Sequence, residues 1–267
     1  MKPAFTILYT NDLHNHLSVL QAEKLSRLRT EIGPNGLLLD AGDAVGAGNI
    51  TFRPGGEAIL QTMSRIGYDA MTVGNREFHF SHIGFQTKLS MARFPALCAN
   101  VRASRQHIPE SDRILDGQTH SATIQLPVIP YIVRDFGDNR RIVIFGVTVP
   151  MITERMLVRK VSSFVFDDPI HAAALLVPTL RERFAPDLLI ALTHIGIQKD
   201  RELAMSVPGI DLIIGGHTHV VLEHGEKVGK TWIFQAGCRG AYFGRIEVRD
   251  PIRSDPKWQF DAWLETL

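Results

Sequence analysis

The stretch FTILYTNDLH, residues 5–14, joins a short apolar run to a polar cluster. Phe5–Tyr9 has the length and composition of a buried strand. Asp12 and His14 follow directly, where such a strand would run into a loop. In open α/β sheets, ligands bind at the carboxyl ends of the strands. The stretch therefore predicts both an α/β fold and the edge at which a site would lie.

The same pattern recurs along the chain. Further strand-like apolar runs that lead into polar residues are Leu37–Asp40, Ala70–Val73, Leu188–Leu192 and Asp211–Ile214. Apolar residues at helical spacing predict a helix after each of the first two strands. The residues of the first helix are Leu17, Leu20, Leu25, Leu28 and Ile32, and those of the second are Ala58, Ile59, Met63 and Ile66. Gly67 is well placed to end the second helix. This βαβαβ order favours parallel strand pairing.

The second half of the chain continues the alternation of strands and helices. Ile142–Val147 predicts a strand. A helical stripe follows, interrupted by Pro178, and consists of Ile170, Ala174, Val177, Leu180 and Phe184. Thr231–Phe234, Arg245–Val248 and Gln259–Trp263 are late strands, the last two predicted antiparallel because their connections are short. We interpret residues 1–267 as one α/β domain.

Composition excludes several classes of protein. Hydrophobic residues make up 45% of the 267 residues, and 29 basic side chains nearly balance 28 acidic ones, so the chain is not of the disordered type. The near-neutral charge argues against a nucleic-acid or anionic-membrane partner. No apolar run approaches the ~18 residues of a membrane span, and two cysteines provide no disulfide framework. We expect a cytoplasmic protein with a small-molecule substrate, while the oligomeric state is not predicted.

Seven residues near the ends of five predicted strands could bind metal. They are Asp12, His14, Asp43, Asn75, His194, His217 and His219. Taken singly, each could be an ordinary loop residue. Together they form a nitrogen and oxygen ligand set without thiolate, which suits Mn, Fe, Zn, Co or Ni. Seven ligands exceed one catalytic site and suit two divalent ions roughly 3.5–4 Å apart, an arrangement that phosphoester hydrolysis needs above other reactions.

The order of the motifs along the chain resembles that of the calcineurin-like metallophosphoesterases. These motifs are Asp-x-His, Gly-Asp, Gly-Asn-x-Glu, a lone His and Gly-His-x-His. Three segments resemble the metal domain of the 5′-nucleotidases in particular, and they are Tyr9–His14, Gly215–His219 and Gln235–Gly237. The resemblance covers roughly residues 5–249. It implies a four-layer αββα sandwich with two mixed sheets. We expect no counterpart of the C-terminal domain that holds the nucleobase in the nucleotidases, so the sequence gives no support for a nucleotide substrate in particular.

The resemblance also assigns roles to the seven residues. It implies a first metal bound by Asp12, His14 and His219, a second bound by Asn75, His194 and His217, and a bridge formed by Asp43. It further implies a metal-bridging hydroxide as the nucleophile. We expect specificity to come from a second subunit or from loops such as Val45–Gly56, Val101–Leu126 and Pro150–Ser163.

Two positions depart from the nucleotidase pattern. Nucleotidases have His after Gly-Asn and an Asp three residues later, whereas this chain has Arg76 and His79. Arginine can bind a phosphoryl oxygen but cannot act as a general acid, a role that His79 could take. We therefore expect both as catalytic candidates and a preference for activated, aryl leaving groups. The bland alternatives are an ion pair of Arg76 with Glu77 or a neighbour, and a surface or supporting role for His79.

The sequence thus predicts a two-metal phosphoric ester hydrolase, first of all a phosphomonoesterase. One alternative is a phosphodiesterase that acts on cyclic nucleotides or related diesters. Another is a catalytically silent metal-binding scaffold, for which the Arg76 and His79 departures are the only support. Against the scaffold, burying so many charged groups without metal would be costly.

Overall fold

The computed structural model describes residues 4–104, 125–136, 139–250 and 258–267. Its strands are β1 (Phe5–Thr10), β2 (Leu37–Asp40), β3 (Ala70–Thr72), β4 (Ala96–Leu97), β5 (Val101–Ala103), β6 (Tyr131–Asp135), β7 (Arg141–Thr148), β8 (Phe164–Phe166), β9 (Leu188–His194), β10 (Leu212–Ile214), β11 (Glu226–Val228), β12 (Thr231–Phe234), β13 (Tyr242–Arg249) and β14 (Gln259–Thr266). Its α-helices are α1 (Val19–Ile32), α2 (Ala58–Ile66), α3 (His82–Leu89), α4 (Pro169–Phe184) and α5 (Ile197–Ser206), and Leu157–Lys160 forms one 3-10 turn.

Two mixed six-stranded sheets form the centre of the molecule. The first has the order β14-β13-β1-β2-β3-β4. Strands β1 to β4 are parallel to one another, and β13 pairs antiparallel with both β1 and β14. The second has the order β11-β12-β10-β9-β7-β6, with parallel pairs at its centre and antiparallel pairs at its edges. The predicted parallel pairing of the first strands and the antiparallel pairing of the last two are confirmed.

Alternation of side chains along the strands generates four layers. Ile7 of β1 lies in one apolar cluster with Ile190 of β9, between the sheets. Its neighbour Leu8 points to the opposite face and packs with α1, α2 and α3. Leu189 likewise points away from the first sheet and packs with α4 and α5. The αββα sandwich that the resemblance implied is therefore confirmed.

Local sequence signals set the ends of the helices. Ser18 and the side chain of Gln21 form a capping box at the start of α1, and Gly67 ends α2 in a left-handed conformation with φ of 94°. Helix α4 continues through Pro178. Three residues of the predicted helical stripes are exposed and not in the core: Leu20, Ala58 and Ala174. Leu20 is 77% exposed, because it lies in the first turn of α1, before the residues that reach the sheet.

Other elements escape prediction from sequence because they are short or weakly patterned, including α3, α5 and five strands of two to five residues. Of the loop predicted at Val101–Leu126, residues 105–124 lie outside the described residues. Within the described ranges, no helix is both long and apolar enough to cross a membrane.

Candidate metal centre

Five strand ends meet at one edge of the molecule. Strands β1, β2 and β3 of the first sheet run into the segments that carry Asp12, Asp43 and Asn75. In the second sheet, β9 ends at His194, and β10 runs into the segment that carries His217 and His219. From the sequence, these strands are expected to end at the edge of one sheet. The structure divides them between two sheets, whose carboxyl ends face each other across the site.

Asp12 lies at the centre of the first group of ligand atoms. Its Oδ1 is 3.4 Å from Nε2 of His14 and 3.3 Å from Nε2 of His219, although 205 residues separate the two histidines. The two rings meet edge to face with centroids 5.1 Å apart. Asp12 is fully buried and these ligand atoms all lie within 4.8 Å of one another, so the three residues could hold one ion. These are the residues that the resemblance assigned to the first metal.

Asp43 faces both groups of histidines. Its Oδ2 lies 3.8 Å from Nε2 of His14, and its Oδ1 lies 3.5 Å from Nε2 of His194. The other ring nitrogen of His194 donates to the carbonyl of Ala41 at 2.8 Å, which orients Nε2 toward the carboxylates. Asp12, Asp43 and His194 form the second compact group of possible ligands.

Asn75 and His217 complete the predicted set. Asn75 Oδ1 is buried without a hydrogen-bond partner, and the same is true of His194 Nε2. The ring of His217 lies 5.0 Å from that of His194, and its backbone amide donates to Asp12 Oδ2 at 2.9 Å. Buried acceptors rarely remain unpaired, and ring nitrogens, carboxylates and an amide oxygen suit a divalent ion of the first transition row. The residues present therefore fit a metal site.

Strained backbone positions these side chains. Five of the seven candidate ligands adopt the left-handed conformation, and they are Asp12 (φ 52°), His14 (φ 49°), Asp43 (φ 55°), His217 (φ 78°) and His219 (φ 57°). Such residues cost energy and cluster at functional sites. Close backbone approach adds to the effect, because a Cβ on Gly74 would overlap the amide nitrogen of Asp43.

Charge and burial oppose each other in the centre. Burial acts to raise the pKa values of Asp12 and Asp43, but hydrogen bonds and the charge of His194 outweigh it and hold both pKa values below the ordinary range. Burial acts to lower the pKa of His194, but Asp43 and Asp12 raise it to about 9. Without a metal ion, this pKa favours the protonated ring of His194, whose Nε2 lies 3.5 Å from Asp43 Oδ1 without a hydrogen bond.

Glu77 supports the loops of the first sheet and was not predicted as a site residue. Its carboxylate is fully buried and accepts hydrogen bonds from the amides of Asp43 (2.9 Å), Gly74 (2.8 Å) and Val45 (3.0 Å). Burial, and then the charge of Asp43, raise the pKa of Glu77. Glu77 is the last residue of the Gly-Asn-x-Glu motif, which is the feature of the sequence that could have identified it.

Asp200 supports the second sheet and was likewise missed. This fully buried residue of α5 accepts from Thr193 Oγ1 at 2.6 Å and from Gln235 Nε2 at 2.9 Å. Thr193 precedes His194 in β9, and Gln235 follows β12. Burial raises the pKa of Asp200 to about 7.

Arg76 lies against Asp43. Its amide donates to Asp43 Oδ1 at 2.8 Å, its Nε is 3.4 Å from Oδ2, and its Nη1 donates to the carbonyl of Gly46 at 2.9 Å. In the described part of the chain, the ion pair of Arg76 is thus with Asp43 and not with Glu77. The half-buried guanidinium therefore borders the candidate ligands.

His79 is buried, with 4% of its surface exposed, in the loop after β3 that also carries Arg76. Its Nδ1 accepts from the amide of Ser81 at 3.1 Å, and its ring stacks on Phe80 and meets Phe52 edge to face. Burial lowers the pKa of His79, so the ring is neutral at pH 7. A neutral imidazole is a poor general acid. The proton-donor role of His79 stays a prediction that this geometry does not favour.

Known proteins are similar to this chain in sequence. A family model described as calcineurin-like phosphoesterase matches residues 5–221. The chain belongs to this family. The trifunctional nucleotide phosphoesterase protein YfkN of Bacillus subtilis is 35% identical over 269 residues, which cover 91% of this chain and 18% of the relative. Human 5′-nucleotidase is 31% identical over 246 residues, which cover 84% of this chain and 40% of the relative.

Solved structures agree with the sequence relatives. The 5′-nucleotidase precursor of Thermus thermophilus superposes with a TM-score of 0.73 at 26% identity, over 98% of this chain and 54% of that one. The resemblance to the 5′-nucleotidases is confirmed. The phosphoesterase chain spans less than two thirds of the length of each of these three proteins.

Proposed function

We propose that this phosphoesterase hydrolyses phosphomonoesters of small organic molecules, nucleotides among them, with two divalent metal ions, for which manganese is the first candidate. The observation that carries the proposal is Asp43, whose two oxygens face His14 on one side and His194 on the other. A carboxylate in that position suits a bridge between two ions. The names of the relatives, a nucleotide phosphoesterase and a 5′-nucleotidase, support the substrate class.

The chain's own residues divide the work. Asp12, His14 and His219 would hold one ion, Asn75, His194 and His217 the other, and Asp43 would bridge them. When bound, the ions supply the Lewis acidity that activates water and neutralises phosphoryl charge. Arg76 donates N–H groups to the phosphoryl oxygens from its position beside Asp43, a contact that favours the charge of the transition state.

The test compares hydrolysis of p-nitrophenyl phosphate and bis-p-nitrophenyl phosphate with added Mn²⁺. Asp43→Gly removes both carboxylate oxygens and tolerates the φ of 55° at this position. We expect the wild type to prefer the monoester and Asp43→Gly to lose activity by about 10³-fold or more, together with paired metal binding measured by calorimetry. Asn139→Gly is the matched control, because Asn139 has a φ of 65° outside the site.

Other results would decide among the alternatives. A faster diester would identify a phosphodiesterase, and two bound ions without hydrolysis of either ester would favour the silent scaffold. Activity that survives in Asp43→Gly would contradict the bridge. The single-domain organisation, the cytoplasmic location and the preference for aryl leaving groups stay predictions.

A further inference from the structure

Lys88 is a fully buried lysine on α3, and the proposed chemistry does not use it. Its Nζ donates to three backbone carbonyls, those of Arg76 at 2.6 Å, Gly48 at 2.7 Å and Phe78 at 3.2 Å. An ammonium group has three N–H donors, and all three are used. Burial of such a charge is costly unless it is completely hydrogen-bonded, so this geometry must be held by its surroundings.

The three carbonyls belong to two different loops of the candidate site. Gly48 lies in the segment that follows Asp43, whereas Arg76 and Phe78 lie in the segment that follows Asn75. Lys88 therefore connects the loop after β2 with the loop after β3. Lys88 reaches these loops from the outer face of the first sheet, where α3 packs in an apolar cluster.

Arg76 is connected to the same two loops at its other end. Its guanidinium donates to Gly46, two residues before the carbonyl that Lys88 holds, and lies against Asp43. Its own carbonyl is one of the acceptors of Lys88. The backbone and the side chain of Arg76 are thus each anchored on a segment that Lys88 fixes.

Acidic residues balance the charge of Lys88 without contacting it directly. Burial lowers the pKa of Lys88, while the charges of Glu77, Glu57 and Asp43 act to raise it. Glu57, at the start of α2, is itself fully buried. Three backbone carbonyls and the charges of these nearby carboxylates therefore support the ammonium form of Lys88.

We propose that Lys88 is a positioning residue for Arg76: it holds the two loops at the separation that keeps the guanidinium beside Asp43, in place to contact the phosphoryl group of the substrate. The inference rests on the proposed phosphoesterase function. It assigns Lys88 no contact with substrate or metal. Its effect passes through Arg76.

A double-mutant cycle tests this dependence. Lys88→Met keeps most of the apolar stem and removes every N–H donor, and we expect it to lower kcat for p-nitrophenyl phosphate roughly 10- to 100-fold. Affinity for Mn²⁺ should stay within about twofold, because no candidate ligand contacts Lys88. In an Arg76→Ala background, Lys88→Met should cause little further loss of kcat. Lys199→Met, an exposed lysine of α5, is the control and should leave kcat unchanged.

A purely structural role predicts something else. Equal losses of kcat in the wild-type and Arg76→Ala backgrounds, or no loss in either, would overturn the proposal. Lys88→Gln, which keeps an amide donor, should recover part of the activity, and circular dichroism checks that each variant is folded.

A second measurement needs no enzymatic activity. Nitrogen-15 relaxation of the Arg76 Nε–H group should give an order parameter near that of rigid backbone, about 0.85, in the wild type and a lower one in Lys88→Met, whereas equal order parameters in the two proteins would overturn the proposal. This arm reads the same whether or not the protein hydrolyses phosphomonoesters. An inactive wild type whose Arg76 becomes less rigid in Lys88→Met would therefore contradict the proposed function and leave the role of Lys88 standing.

Discussion

The two sheets hold their ends of the candidate metal centre in different ways. On the first sheet, Glu77 accepts hydrogen bonds from three backbone amides of the loops. On the second sheet, Asp200 accepts from two side chains, those of Thr193 and Gln235. Both carboxylates are fully buried and neither is a candidate ligand.

The difference follows from where the ligands lie. Asp43 stands in irregular backbone beyond β2, so its amide and those of its neighbours need acceptors from outside any strand. His194 is the last residue of β9 and pairs in register with Thr148 of β7, so the strand ladder already fixes its backbone. A ligand in a loop thus requires main-chain anchoring, whereas a ligand in a strand requires only support for side chains around it.

Removal of one acceptor from Glu77 should give the largest effect. In Glu77→Gln, the new NH₂ group would face an N–H donor of the loops, which leaves a buried amide unpaired. We expect Mn²⁺ affinity to fall roughly 10- to 100-fold and the free energy of unfolding to fall by about 1–3 kcal/mol. Isothermal calorimetry and denaturant unfolding measure the two quantities.

A second buried glutamate controls for loss of charge in that region. Glu57 has no hydrogen-bond partner for its carboxylate among the described residues. Glu57→Gln should therefore leave Mn²⁺ affinity within about twofold. Equal losses from the two variants would show that Glu77 acts through its charge and not through the three amides.

The second-largest effect should be the pH dependence of metal binding, and its cause should be His194 of the second sheet. The pKa of His194 is raised to about 9, so its proton must leave before the ring can bind a metal ion. Metal affinity should therefore rise with pH by about tenfold per unit between pH 7 and 9 and level off above that range. Asp12 and Asp43, with lowered pKa values, are ionised throughout it.

Calorimetric titration with Co²⁺ or Mn²⁺ at pH 7, 8 and 9 measures this slope. His194→Asn should flatten it, while the exposed His171→Asn should not. A wild-type affinity that is independent of pH between 7 and 9 would mean that Asp43 does not hold a proton on His194.

Asp200→Asn should give the smallest effect on the metal. The amide keeps one acceptor for Thr193 or Gln235, and the β9 backbone remains in its ladder, so we expect a loss of Mn²⁺ affinity below about tenfold. Asp211→Asn is the matched control, because Asp211 accepts from the amide of Leu189 at the opposite end of the same strands. If Asp200→Asn weakened metal binding more than Glu77→Gln did, the contrast between the two sheets would be wrong.

The stability of the same variant should depend on pH in a defined direction. Burial raises the pKa of Asp200 from 3.8 to about 7, so the folded state binds more protons than the unfolded state between these values. The wild type therefore loses stability as pH rises from about 4 to 7, and Asp200→Asn removes this decline. Thermal unfolding in EDTA at pH 5 and 8 should show the variant gaining relative to the wild type at the higher pH.

The sequence predicts the strands that end at the site better than it predicts their arrangement. Phe5–Tyr9 and Leu37–Asp40 are strongly apolar and stop at polar residues, so their identity is local information. Membership of one sheet or two is not local, because β1 pairs with β13 more than 200 residues away. The four-layer fold therefore came from the family resemblance and not from periodicity.

The candidate ligands were predicted by residue type and motif, but their supporting residues were not. Lysine and aspartate are usually exposed, so nothing local marks Lys88 or Asp200 as buried. Their burial depends on helices α3 and α5, which have weak apolar patterns and were not predicted from the sequence. Glu77 was visible only as part of a motif, without its three amide partners.

The left-handed conformation of Asp12, His14, Asp43, His217 and His219 restricts what evolution or design can place there. Among residues other than glycine, Asn, Asp and His tolerate this backbone best, and two of these three types supply all five side chains. Cysteine has no such advantage, so replacing ligands with thiolates to favour softer metals would strain the same loops. The backbone thereby biases the site toward oxygen and nitrogen donors before any ion arrives.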